Sequence, residues 1–362
     1  MTSRERMLCA IRGERPDRVP VAPWGFGHVD PDSDVGRELV HRCDLWIPGG
    51  GGGFSFSGTR LEAETVQEGS VTTTTYHTPA GDLRARRQVT DVTAATIEFP
   101  CKTAADVEAL LSVPYEPLPT DFARFHDTKR KYGGEGLVYL DCMNAVCWPA
   151  TVLSPEDFSL LWADAPDLMV AMTRAGSERL NAYTEAACRA GVDCFRIIGG
   201  EYVTVQLGPS GVPHLLAPFD TEQAAIIHRH GGVVHYHNHG PMMRFLDALA
   251  ALGIDSLDPC EAPPWGDCDL AEAQRILGGR VCIVGNLDDM EVVEQLPEAE
   301  VCAIAAARLE AAGPTHFMLG GTASGTYTER AARNFIALVR VASSPVTPSA
   351  SHAAASAKIR PA

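Results

Sequence analysis

The stretch Val233-Val234-His235-Tyr236-His237-Asn238-His239-Gly240 sets two β-branched residues ahead of three imidazoles at alternate positions and closes on a glycine. Val233 and Val234 suit a strand, and side chains two apart on an extended chain project to the same face. His235, His237 and His239 can therefore converge for as long as the chain stays extended, which is metal-ligand spacing. Gly240 frees the backbone to turn, and Met243, Phe245, Leu246, Leu249 and Leu252 recur at helical intervals over about 241–252. The cluster thus falls at the C-terminal end of a strand, just before a helix. A lone histidine there would be read as bonded to a carbonyl or to solvent; three in alternation bring a metal into contention.

Outward from this stretch the rhythm is β then α. Strand candidates are Leu137 to Leu140, Cys194 to Ile198, Gly232 to Tyr236, Ser256 to Leu257, Val281 to Val284 and His316 to Leu319. Helical periodicity falls at about 156–163, 166–190, 219–230, 269–277, 297–312 and 327–342. With strands at Val19 to Ala22 and Leu45 to Ile47, about eight alternating units accumulate. That pattern predicts an α/β protein with a parallel sheet, most simply a (β/α)8 barrel. An amphipathic helix over 2–12 precedes it, and Thr103-Ala104-Ala105-Asp106 opens a short helix through Leu111. Residues 70–99 depart from the rhythm: Val71-Thr72-Thr73-Thr74-Thr75-Tyr76, a Pro79/Gly81 turn, then Leu83 to Val89 predict an inserted antiparallel hairpin. One domain over 1–342 is expected, and the Ser-, Ala- and Pro-rich residues 343–362 read as a disordered tail.

Composition narrows the partners. The 362 residues are 45% hydrophobic and 21% charged, enough for one large core. No apolar run approaches the roughly 20 residues that span a bilayer, and no secretory segment follows Met1-Thr2-Ser3-Arg4, so a cytoplasmic protein is expected. A net charge of -16 without a basic stripe argues against nucleic acid and for small molecules. Eleven cysteines, odd in number and without a Cys-x-x-Cys pair, imply reduced thiols rather than a disulfide framework or a zinc ribbon.

In a barrel the chemistry lies on loops beyond the C-terminal ends of the strands. Those exits carry Trp24, Phe26 and His28; Asp141, Cys142, Asn144 and Trp148; Glu201 and Tyr202; the imidazoles; Glu261; Asn286 and Asp288; and Gly320 to Ser324. His237, His239, Glu201 and Glu261 suit zinc or a similar divalent ion. His28, Asp141 and Glu201 are the catalytic candidates, and Trp24, Phe26, Trp148 and Tyr202 the substrate-binding ones. Arg196 is a weaker pocket candidate; it lies inside a strand, where the alternative role is to bind a carboxylate of the core. His228 and His230 end a helix and read as structural. Cys142, Cys147 and Cys260 lack an activating pattern and read as core thiols. The run Gly49 to Gly53 has no phosphate-binding signature and reads as a flexible turn.

Several motifs resemble the uroporphyrinogen decarboxylase superfamily, which also holds cobalamin-associated methyltransferases. They are Arg4-Glu5-Arg6 with Pro16-Asp17-Arg18-Val19-Pro20-Val21, Thr78-Pro79-Ala80-Gly81-Asp82-Leu83-Arg84, His237-Asn238-His239-Gly240, Glu261-Ala262-Pro263-Pro264-Trp265-Gly266-Asp267 and Gly285-Asn286-Leu287-Asp288. The likeness runs from Thr2 to about Val341 and implies a (β/α)8 barrel of the TIM type. The porphyrinogen decarboxylases carry arginines after the first strand and an aspartate for the pyrrole NH groups. Here the matching loop is Trp24-Gly25-Phe26-Gly27-His28 and the matching segment Ile47-Pro48-Gly49-Gly50, with neither. The zinc methyltransferases use His-x-Cys-Gly and a late cysteine; His237 matches the histidine, His239 replaces the first cysteine, and Gly320 to Ser324 holds none.

The resemblance leaves three readings, two of them enzymes. The first is a metal-dependent methyl or alkyl transferase, acting on a small thiol or related nucleophile with a methyl donor such as a corrinoid protein. The second is a decarboxylase or lyase in which the ion, or His28 and Asp141, stabilises developing charge. The third is a non-catalytic corrinoid or tetrapyrrole binder. A homodimer is compatible with each.

Overall fold

The computed structural model describes residues 1–322 and 325–344. Ala323, Ser324 and most of the expected tail lie outside those residues.

Seven parallel strands form a curled sheet in chain order: β1 (Leu45–Pro48), β6 (Gly136–Met143), β7 (Cys194–Ile198), β8 (Val233–Asn238), β9 (Ser256–Pro259), β10 (Cys282–Leu287) and β11 (Phe317–Gly321). Between β1 and β6 stand four antiparallel strands, β2 (Glu62–Glu68), β3 (Val71–Thr78), β4 (Gly81–Val89) and β5 (Ala94–Glu98), which make a second sheet. The expected hairpin is its middle pair, turning at Thr78–Gly81. The outer strands escaped the sequence reading because β2 is exposed along its whole length and so shows no apolar alternation.

The expected strand at Val19 to Ala22 is not a regular strand. Val21 bridges Leu319 on β11 and Trp24 bridges Trp46 on β1, both in parallel sense. Ala22 N–H donates to Leu319, Leu319 N–H to Pro20, Trp46 N–H to Pro23 and Gly25 N–H to Trp46, over 2.7–3.0 Å. Pro20 and Pro23 have no N–H to give, so a continuous ladder cannot form through them. The regular sheet is seven-stranded, with this segment bonded to both its edges.

Because parallel strands are covered on both sides, the faces are distinguished by partner rather than by polarity. Leu45, Val138, Leu140, Phe195, Val234, Leu257, Ile283 and Leu319 join the large core under the helices. Trp46, Tyr139, Cys194, Cys282, Val284 and Met318 point the other way, into a smaller cluster with Met7, Ala10 and Ile11. The helix Ser3–Ile11 thus fills the N-terminal end of the sheet's concave side. Thr2 and Glu5 cap it reciprocally. Arg6 bonds Asp17 (2.6 and 2.9 Å) and buried Asp44 (2.7 Å), which also takes Arg18 at 2.5 Å and the N–H of Val21 at 3.0 Å. Arg6, Asp17 and Arg18 of these motifs are therefore a clamp that fastens the first helix to Asp44, which leads into β1, while Arg4 pairs with Asp193 at 2.8 Å.

The glycine run is a packed loop rather than a flexible turn. Gly52 exchanges two backbone hydrogen bonds with Asp121, and a Cβ on Gly52 would meet the Tyr183 hydroxyl at 2.2 Å. Among the described residues no helix is long and apolar enough to cross a membrane.

Candidate functional site

β8 carries His235 and His237 inward and Tyr236 and Asn238 outward, as strand alternation requires; His239 follows one residue past its end. The inward pair meets a carboxylate on the neighbouring strand. His237 is in register with Asp258 of β9. Asp258 is fully buried, and its Oδ1 lies 2.7 Å from His235 Nε2 and 2.9 Å from His237 Nδ1. Since a carboxylate can only accept, both imidazoles donate to it. Burial would raise its pKa, but the imidazoles outweigh that and hold Asp258 well below the usual carboxylate range. Burial, against the pull of Asp258, lowers His235. The neutral ring then accepts at Nδ1 from Ser256 Oγ, 2.8 Å away. His235 also packs on Trp46 and Trp24, with centroids 4.6 and 5.0 Å apart, so it is a core residue.

One layer higher, His239 Nδ1 donates to Glu261 Oε1 at 3.1 Å, and Gly240 N–H donates to Oε2 at 3.1 Å. The Glu261 bond raises His239 against partial burial. Burial pushes Glu261 up, and the bonds from His239 and Gly240 more than reverse it. The rings of His237 and His239 stand 4.4 Å apart at 90°. Each thus has Nδ1 tied to a carboxylate, which leaves both Nε2 atoms for something else.

His239, Gly240 and Glu261 line a cavity of about 360 Å³ together with Glu201, Tyr202 and Trp265. Glu201 opens the short helix Glu201–Thr204 right after β7, and its Oε2 has no hydrogen-bond partner although it is shielded from solvent. The tight exit depends on Gly199, with φ +113°, where a Cβ would lie 2.3 Å from Cys147 Sγ and 2.5 Å from Asn144 Oδ1. Behind it, on the outer face, Tyr236 donates to Asp220 Oδ2 at 2.6 Å and Asn144 Nδ2 at 3.1 Å. Burial pushes Asp220 up to about 7, against those two bonds.

The remaining expected residues separate. Trp24 and Phe26 line a second cavity, of about 410 Å³, with Pro48, Tyr139 and Arg196. Asp141 is half exposed and accepts from Arg196 Nη1 at 3.2 Å. His28 is exposed and lines neither cavity. Trp148 is buried outside the sheet, stacked on Phe56 at 5.7 Å with Arg179 over its ring, and lines neither cavity. His228 pairs with Asp255 at 2.9 Å and His230 with Glu185 at 3.0 Å, as helix-end residues do. All eleven cysteines are free; burial raises Cys142 to about 12 and pushes Cys147 up, and the bond with Cys268, together with burial, pushes Cys260 up, so none of these three is a poised thiolate.

Two residues of the site escaped the sequence reading. Asp258 could have been found, because Ser256 and Asp258 alternate as polar residues in a buried strand with the same period as His235 and His237. Asp220 carries no such signal, being an acid in a helix with no polar periodicity to mark it.

Fold and site together define an α/β protein with a curled parallel sheet and an imidazole–carboxylate cluster at its C-terminal rim. The model for the uroporphyrinogen decarboxylase family, Uroporphyrinogen decarboxylase (URO-D), matches residues 96–344, and the chain belongs to that family. Its members are decarboxylases and methyltransferases. Among solved structures, a methyltransferase from Methanosarcina mazei aligns with 94% of this chain and 98% of its own at 16% identity and a TM-score of 0.62. The pneumococcal exo-beta-D-N-acetylglucosaminidase StrH aligns with 92% of this chain and 83% of its own at 11% identity and a TM-score of 0.39. No curated protein matches.

Proposed function

We propose that the chain is a methyl or alkyl transferase whose centre is the His237–His239 pair, with Pro20 to Gly25 as the first stave of the barrel. The observation that carries this reading is the orientation of the two imidazoles: each has Nδ1 held by a carboxylate, and their rings are 4.4 Å apart, with His239 lining the cavity and His237 buried directly beneath it. A carboxylate on the far nitrogen is how proteins orient histidine for a metal and raise its basicity. The donor set fits a divalent ion such as zinc through two nitrogens. Among the described residues no three His, Cys, Asp or Glu side chains stand together as a complete metal site, so the nucleophile and water would complete the coordination. Such an ion, when bound, lowers the pKa of a thiol or related nucleophile at neutral pH.

The residues of the chain do the rest. Asp258 and Glu261 fix ring direction and tautomer. Glu201, with an unbonded oxygen beside the cavity, receives the proton that the nucleophile gives up. Tyr202 and Trp265 wall the nucleophile, and the open mouth admits a methyl donor carried by a partner, for which a methylated corrinoid protein is the candidate. A tetrapyrrole with many carboxylates is a poor fit, because among the described residues Arg196 is the one arginine or lysine lining these two cavities.

Elemental analysis of the purified protein, and of His237→Ala and His239→Ala variants checked for folding, tests the centre. About one zinc or other divalent ion per chain, lost in both variants, is expected. No ion, even after incubation with zinc, would overturn the metal-transferase reading and shift the weight to decarboxylation or lyase chemistry in the same mouth, measured as carbon dioxide release.

A further inference from the structure

The second cavity contains an arginine that the transfer chemistry does not use. Arg196 lies on β7, level with His235 and one inward-facing layer below His237. Its guanidinium sits 4.9 Å over the ring of Trp24 and 6.0 Å from that of Tyr139. Among the described residues, only its Nη1 is engaged, by Asp141 at 3.2 Å, a long contact to a half-exposed carboxylate. Nε is shielded from solvent and bonds to nothing. Buried Asp258 favours the guanidinium through its charge but does not bond it: its Oδ1 accepts from two imidazoles and its Oδ2 has no partner. A largely buried guanidinium with donors to spare is costly unless something accepts from it.

The space in front of it has a definite character. Trp24, Phe26, Tyr139 and Pro48 give flat, apolar walls to about 410 Å³, room for a single-ring molecule. Gly27 lets the first rim loop lie against the chain: with φ +56°, its Cβ would fall 2.2 Å from the Tyr327 carbonyl. The guanidinium fork matches a planar carboxylate through two parallel hydrogen bonds, a match an ammonium or a neutral amide lacks.

We infer that Arg196 and the Trp24–Phe26 loop form a subsite for the carboxylate of a small aromatic acid. Asp141 yields its contact to the ligand, since its half-exposed carboxylate is readily hydrated. Two residues of strand separate the Arg196 layer from that of His237, about 7 Å, so a substituent on the far side of one ring is carried toward the imidazoles. This assignment rests on the proposed centre only for which end of the ligand reacts; the binding itself requires neither metal nor methyl donor.

Calorimetric titration of the full chain with benzoate, benzamide and benzylamine tests it, on the wild type and on Arg196→Met, Arg196→Lys and Phe26→Ala. Saturable benzoate binding at least about tenfold tighter than that of the other two is expected. Arg196→Met should lose about tenfold or more, Arg196→Lys should lose part of it, and Phe26→Ala should weaken benzoate while keeping the preference for charge. If Arg196→Met melts out, the preference for benzoate over benzamide in Phe26→Ala still decides. Equal binding of benzoate and benzamide, no saturation by about 10 mM, or an unchanged affinity in folded Arg196→Met overturns the subsite. His237→Ala is expected to bind benzoate normally, so failure of the metal centre and failure of the subsite give different results.

Discussion

At the scale of single residues, the weight falls on carboxylates that the imidazoles hide. Asp258 accepts from two rings at once and is fully shielded from solvent. Asp258→Ala leaves both rings without their partner, and a loss of about 3–5 kcal/mol in urea unfolding is expected, together with weaker metal retention. An Asp258→Ala variant as stable as the wild type would show that the rings find other acceptors. Asp220 behaves in the opposite sense. Its carboxyl titrates near 3.8 in the unfolded chain and about 7 in the folded one, because burial favours the neutral form. Between those values the folded chain holds the extra proton, so this group's stabilisation is complete at low pH and is lost as pH rises through about 7, by on the order of 4 kcal/mol. Asp220→Asn cannot titrate. Measured at about pH 5 and about pH 8, its stability should change less with pH than that of the wild type, in the sense that the wild type loses more on going up. Parallel profiles would contradict this.

At the scale of elements, the strands run further than their apolar residues suggest. β8 extends to Asn238, β9 to Pro259, β10 to Leu287 and β11 to Gly321, each two or three residues past the stretch that reads as hydrophobic. Backbone pairing continues into the rim because a parallel ladder needs N–H and C=O groups, not apolar side chains, and the polar residues there are the functional ones. The sequence therefore shows where each strand begins better than where it ends. The β7 exit is constrained by space instead. Gly199→Ala would drive a methyl group into Cys147 and Asn144 at a positive φ, with an expected cost of about 2–3 kcal/mol or more and a displaced Glu201. Full stability in this variant would mean that the exit relaxes freely. Asp44 acts between elements, joining Arg6 and Arg18 from one helix and one loop to β1. Its replacement by alanine removes the buried carboxylate from two guanidinium groups that keep Asp17 and backbone carbonyls as acceptors, for which about 2–4 kcal/mol in urea unfolding is expected.

At the scale of the whole molecule, the concave side of the sheet is filled at one end by the first helix and at the other by the charged and aromatic layers of the site. Met7, fully buried, packs among residues of β6, β10 and β11. Met7→Ala should cost about 2–5 kcal/mol in thermal or urea unfolding while leaving metal content unchanged, since the two ends are separated by the layer of Trp24, Trp46 and His235. Loss of metal in a folded Met7→Ala protein would show that the ends are coupled. What the sequence by itself determined is the alternation of strands and helices, the inserted β region, the family motifs and the clustering of polar residues at one rim, because these follow from local periodicity and from residues a few positions apart. The pairing of Asp258 with two histidines, the Arg196 basin and the removal of His28 and Trp148 from the cavities were decided only in the tertiary structure. They depend on which residues of neighbouring strands fall in register and on which face each loop packs. Those are relations between segments tens of residues apart, to which no local pattern is sensitive.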